Sequence, residues 1–106
     1  TSLGARRVAD AAYRLATTGA VHSVVVSDYE AVEACLSFQK DHGVVVEPAC
    51  GAALSVVYNQ IEILANCRNI LVIVCGGTGV TMSQLKSWHD ELPNLYMARL
   101  VKSAHR

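Results

Sequence analysis

The sequence predicts an α/β fold, a parallel sheet with helices on both faces, and three observations predict it. Helical spacing of apolar residues alternates with short apolar runs along the whole chain. Those runs, at residues 44–46 and 70–74, are too apolar to alternate inward and outward, as befits strands covered on both sides. Glycine and proline fall at the joins between the two kinds of segment.

The first helix is expected over residues 7–18, where Val8, Ala11, Ala12 and Leu15 share one face, with Gly19 placed to end it in the left-handed conformation. A β-branched run at 22–26 follows as a strand. It gives way to Ser27-Asp28-Tyr29-Glu30, in which a serine three residues before a glutamate matches the capping box that satisfies the free amides of a helix start. The second helix then runs to His42 and stops at Gly43.

Val44-Val45-Val46 is the second strand, and Glu47-Pro48 opens a third helix, expected over 49–65, with a proline where no amide is needed. The third strand, 70–74, leads into Cys75-Gly76-Gly77-Thr78-Gly79 and a last helix over 82–92 capped by Thr81. Beyond Pro93 the tail, 93–106, reads as a short further helix or a strand. Three strands make a partial three-layer sheet whose outer edges would need partners. The chain also begins as if inside a pattern, so a piece of a larger α/β enzyme is expected.

At 106 residues, 52% hydrophobic and 17% charged, the composition suits one folded domain and excludes disorder. Nine basic and nine acidic side chains provide no field that would gather nucleic acid or an anionic membrane. No stretch approaches the length of a membrane span or a secretory signal. Cys35, Cys50, Cys67 and Cys75 show no C-x-x-C spacing and read as reduced core thiols of a cytoplasmic protein. His22, His42, His89 and His105 lack metal-ligand spacing.

Two joins carry chemistry. In an open parallel sheet ligands collect at the carboxyl ends of strands, which singles out the turn at Cys75-Gly76-Gly77 and the carboxylate and small residues of Glu47-Pro48-Ala49-Cys50-Gly51. On these residues alone each join also admits a structural reading. The first can be a tight connection, and in the second Glu47 can simply favour the positive end of a helix. A free-standing α/β module using the glycine turn for a small ligand stays open at this level.

Taken together, VVVEPACGAALSVVY and ILVIVCGG, with the opening SLGARRV and the middle SDYEAVEACLSF, resemble the carboxyl-terminal part of the eukaryotic-type L-serine dehydratases (L-serine/L-threonine ammonia-lyases). These are pyridoxal-phosphate enzymes of fold type II, the tryptophan-synthase-β-like class. The resemblance covers residues 1–92 and makes the chain the carboxyl-terminal portion of the large cofactor-binding domain. It implies a cytoplasmic, homodimeric lyase that converts L-serine and L-threonine to a 2-oxo acid and ammonia. Threonine dehydratases and serine racemases, which keep a glutamate-proline but not the cysteine-bearing string, are the neighbouring alternatives.

Residue by residue, the resemblance implies that Cys75 sets its sulfur against the pyridine nitrogen of the cofactor, as a weak donor that moderates the electron sink. Gly76 and Gly77 would let the ring lie against the backbone, and Glu47 would stand near the ring. Leu3 and Ala5 match positions whose main-chain carbonyls bind a monovalent cation such as potassium. Thr78-Gly79 departs from the family's more usual polar pair. The Schiff-base lysine and the phosphate loop have no counterpart in these residues, since Lys40, Lys86 and Lys102 read as solvated. The 106 residues alone are therefore expected to be inactive and to need the remainder of the protein.

Overall fold

The computed structural model describes residues 6–77 and 79–104. Four α-helices are present among them: α1 (Asp10–Thr18), α2 (Asp28–His42), α3 (Pro48–Tyr58) and α4 (Met82–Ala104), with a single 3₁₀ turn at Glu62–Leu64.

The start of α2 follows from its sequence in full. The Ser27 amide donates to Glu30 Oε2 at 2.7 Å and the Glu30 amide donates to Ser27 Oγ at 3.2 Å, which closes the capping box. Gly43 ends the helix at φ +71°, and its amide donates to the Gln39 carbonyl at 2.8 Å. Thr81 starts α4 by the same device, its Oγ1 accepting from the Gln84 amide while the Gln84 side chain accepts from the Thr81 amide. Pro48 occupies the first turn of α3, where its missing amide costs nothing.

Helix α2 packs on both α3 and α4. The core between them holds Val32, Cys35, Val46, Cys50, Leu54 and Leu85, with Cys35, Val46, Cys50 and Leu85 wholly shielded from solvent. Gly51 sets how closely α2 and α3 approach. A β-carbon there would collide with the Ala31 carbonyl and stand 2.5 Å from Cys35 Sγ. The buried Ser55 hydroxyl donates to the Ala52 carbonyl at 2.9 Å, so α3 brings no unsatisfied hydroxyl into the core.

Several expectations need correction. The runs 22–26, 44–46 and 70–74 form no strand among the described residues. A parallel strand draws its hydrogen bonds from neighbouring strands, and among the described residues these runs have no such ladder. Their side chains face solvent accordingly, with Val25 94% and Leu71 88% exposed, and only Val46 is fully buried. Gly19 does end α1, but at φ −104° and ψ 170°, so extended backbone and not the left-handed conformation closes that helix. Helix α1 itself begins at Asp10, later than residue 7, and carries no buried residue.

Helix α3 stops at Tyr58, short of residue 65. The chain turns away at Asn59 and Gln60, the latter at φ +47°, where the Asn59 amide still reaches the Ser55 carbonyl at 2.8 Å. Helix α4 continues through Pro93 to Ala104, so the tail is helical and Pro93 is no stop. Proline removes only the amide that would pair with His89, a local loss that the turns on either side can carry. No helix among the described residues is long and apolar enough to cross a membrane.

Candidate functional site

The two joins singled out by the sequence meet in space. Glu47, the residue before α3, donates its amide to the Gly76 carbonyl at 3.2 Å, and this bond ties the start of α3 to the glycine turn. The Glu47 side chain then lies along the turn. A β-carbon at residue 77 would fall 2.5 Å from Glu47 Cγ and 2.8 Å from its amide nitrogen, and one at residue 79 would stand 3.6 Å from Glu47 Oε2.

The two glycines of the turn are needed for different reasons. Gly76 sits at φ +82°, with open space where a β-carbon would project, so its requirement is conformational. Gly77, at φ +138°, is both conformational and steric, and the group that fills its empty side is Glu47.

Cys75 is exposed at the exit of the third apolar run. Its thiol is pushed above the ordinary cysteine range, first by desolvation and then by the thiol of Cys50, with the carboxylate of Glu47 adding to the effect from further away. It therefore stays protonated at neutral pH. Of the four cysteines, Cys35 and Cys50 are buried as expected, whereas Cys67 and Cys75 are exposed, which corrects their reading as core thiols. All four are free thiols. Burial pushes the Cys35 thiol up to about 11, with a hydrogen bond from the Gly51 backbone opposing it.

Beside this joint lies a cleft of about 550 Å³, lined by Val26, Ser27, Asp28, Glu47, Gly79 and Trp88 among others. It collects the starts of α2 and α3 and the approach to α4, and its walls are mainly apolar. Glu47 lines it, but Cys75, Gly76 and Gly77 do not, so the predicted site residues face two sides of one turn. Asp28, inside the capping motif of α2, and Trp88 of α4 line this cleft without having been marked as site residues by the sequence.

Leu3, Ala5 and Thr78 lie outside the described residues. Lys40 and Lys86 are exposed, in keeping with a solvated role. His89 stacks on Tyr29 with ring centroids 4.9 Å apart, and His42 lies 4.5 Å from the Phe38 ring. Among the described residues no group of three or more potential ligands is arranged to hold a metal ion.

Comparison with known proteins bears on the same residues. The profile of a family described as pyridoxal-phosphate dependent enzyme matches residues 1–76. An L-serine dehydratase of Dictyostelium discoideum is 39% identical over 97 residues, covering 87% of this chain and 27% of the relative. A human L-serine dehydratase/L-threonine deaminase is 37% identical over 99 residues, covering 86% of this chain and 30% of its own. A catabolic L-serine/threonine dehydratase of Saccharomyces cerevisiae is 33% identical over 100 residues, 87% of this chain and 28% of that protein. The chain thus spans less than a third of the length of these relatives.

Proposed function

Because the chain belongs to the pyridoxal-phosphate dependent enzyme family, we propose that it is the carboxyl-terminal portion of the large cofactor-binding domain of an L-serine dehydratase. The complete enzyme deaminates L-serine and L-threonine to a 2-oxo acid and ammonia. The family is α/β, and in the complete protein the runs 22–26, 44–46 and 70–74 pair with one another and with the remaining residues as a parallel sheet. Their exposed valine, leucine and isoleucine side chains support that reading.

One observation carries it: the hydrogen bond from the Glu47 amide to the Gly76 carbonyl brings VEPACGAAL and VCGG to a single joint. The residues present fit the cofactor in two respects. Open space beside the left-handed Gly76 admits a planar ring, and the Cys75 thiol next to it is exposed and protonated. When bound, pyridoxal phosphate supplies the electron sink that stabilises negative charge at the substrate α-carbon while the β-hydroxyl leaves.

The chain's own residues have distinct tasks in this reading. Cys75 offers the ring nitrogen a weak, neutral donor, where a carboxylate would hold a full proton there. Gly76 leaves one side of the turn clear. Gly77 lets the Glu47 stem lie against the backbone, which fixes the carboxylate at the start of α3, where the helix dipole favours its charge. Leu3 and Ala5, outside the described residues, are the positions that the resemblance implies would hold a monovalent cation.

The test is the complete protein scanned for cofactor absorbance during titration with L-serine and then L-threonine. Spectral change with release of pyruvate and 2-oxobutanoate is expected, and Cys75→Ala should weaken turnover by altering the ring environment. A cofactor band that neither amino acid perturbs would overturn the assignment.

A further inference from the structure

We infer that Gly79 is a positioning residue that acts through Glu47: by carrying no side chain, it leaves the Glu47 carboxylate seated against the turn, within reach of the cofactor ring. The inference rests on the reading that places Glu47 near that ring. It assigns a task to the one glycine of Gly76-Gly77-Thr78-Gly79 that the reading leaves idle.

The geometry is that of a glutamate laid along two glycines. A β-carbon at residue 77 would fall 2.5 Å from Glu47 Cγ and 2.7 Å from its Cβ, so that residue faces the stem. One at residue 79 would stand 3.6 Å from Glu47 Oε2, so this residue faces the carboxylate head. The two glycines differ in kind. At residue 77 the approach is closer than a β-carbon tolerates, and the fold itself demands the glycine. At residue 79 the separation is ordinary van der Waals contact, so a methyl group fits and steric exclusion does not explain the glycine. What a side chain there would change is the surroundings of the carboxylate.

Gly79 and Glu47 both line the cleft of about 550 Å³, whereas Cys75 and Gly76 do not. A hydrogen-bond donor carried on residue 79 would therefore meet Oε2 from the cleft side, and a donor to a carboxylate makes a strong bond. It would draw the head toward the cleft and away from the ring. Thr78-Gly79 is also where the sequence departs from the family's more usual polar pair, and its glycine spares the head that pull.

The experiment is a double-mutant cycle on pyridoxal phosphate affinity in the complete protein, read from cofactor absorbance at equilibrium. Gly79→Asn should weaken binding by about tenfold while Glu47 is present, the size expected of one hydrogen bond to a charged group. In the Glu47→Ala background the same change should alter affinity by less than about twofold, because the group it acts through is gone. Gly79→Ser, a shorter donor, should act in the same direction, and it replaces the asparagine variant if that one does not fold. Gly79→Ala, which adds bulk and no donor, should have less effect than either. Equal weakening by Gly79→Asn with and without Glu47, or an effect of Gly79→Ala as large as that of Gly79→Asn, would overturn the inference and leave the reading of the site standing. A parent protein that binds no pyridoxal phosphate would overturn both.

Discussion

The pairing of α2 with α3 and the three apolar runs that flank it are built from similar side chains and reach opposite ends. Between the helices, Val32, Cys35, Cys50 and Leu54 are buried around a glycine contact, whereas Val25, Leu71 and Ile73 in the runs are mostly exposed. A helix satisfies its own backbone and needs a neighbour only for its apolar face. A strand needs a neighbour for both. The helical layer therefore buries its apolar face, and the runs stay largely uncovered among the described residues.

The largest expected effect comes from breaking the closed side of that contrast. Gly51→Ala places a methyl group against the Ala31 carbonyl and Cys35 Sγ, and a main-chain oxygen inside a helix cannot move aside cheaply. The helices must separate, at a cost of about 3 kcal/mol or more. Urea unfolding of the complete protein should show a lower midpoint or no native baseline. An unchanged midpoint would mean that the close approach of α2 and α3 is not what holds this layer.

The open side is sharpened by Leu71→Ser. Leu71 is 88% exposed, so in the 106-residue chain its replacement should alter helix content measured by circular dichroism negligibly. In the complete protein, where the proposed sheet covers it, the same change should lower stability by about 2 kcal/mol. Equal insensitivity of both proteins would show that residues 70–74 remain uncovered, and the sheet reading would fail with it.

The same contrast explains what the sequence could disclose. The capping box of Ser27 and Glu30, the stop at Gly43 and the cap at Thr81 were legible because donor and acceptor lie within four residues. The need for Gly51 was not, since it arises from the carbonyl of Ala31, on a different helix. Gly77 was legible as part of a glycine turn, and only the fold reveals that Glu47 lies along its empty side. Pro93 illustrates the reverse: a strong local stop signal that the helix overrides. The two joins were legible as motifs, while the bond between Glu47 and Gly76 that unites them depends on a contact nearly thirty residues apart in the chain.

The smallest effect tests whether the helical layer owes anything to its surface, as opposed to its core. The Ser27 amide and then the Ser27 hydroxyl, both bonded to the Glu30 carboxylate, hold its pKa below the ordinary value of 4.5. A carboxylate with a depressed folded-state pKa stabilises the fold above its unfolded pKa, and that stability is lost as pH falls through the folded value. Stability of the parent should therefore decline as pH drops below about 4.5, with this pair contributing about 0.5 kcal/mol or less because it faces solvent. Ser27→Ala removes the hydroxyl cap at about 1 kcal/mol and, with it, only the smaller, hydroxyl-borne part of the acid sensitivity, because the residue 27 amide still donates to Glu30. Stability curves of parent and variant should consequently lie furthest apart at neutral pH and draw together in acid. A constant separation down to pH 3 would show that the bond between the Ser27 hydroxyl and the Glu30 carboxylate contributes nothing to the acid sensitivity of α2.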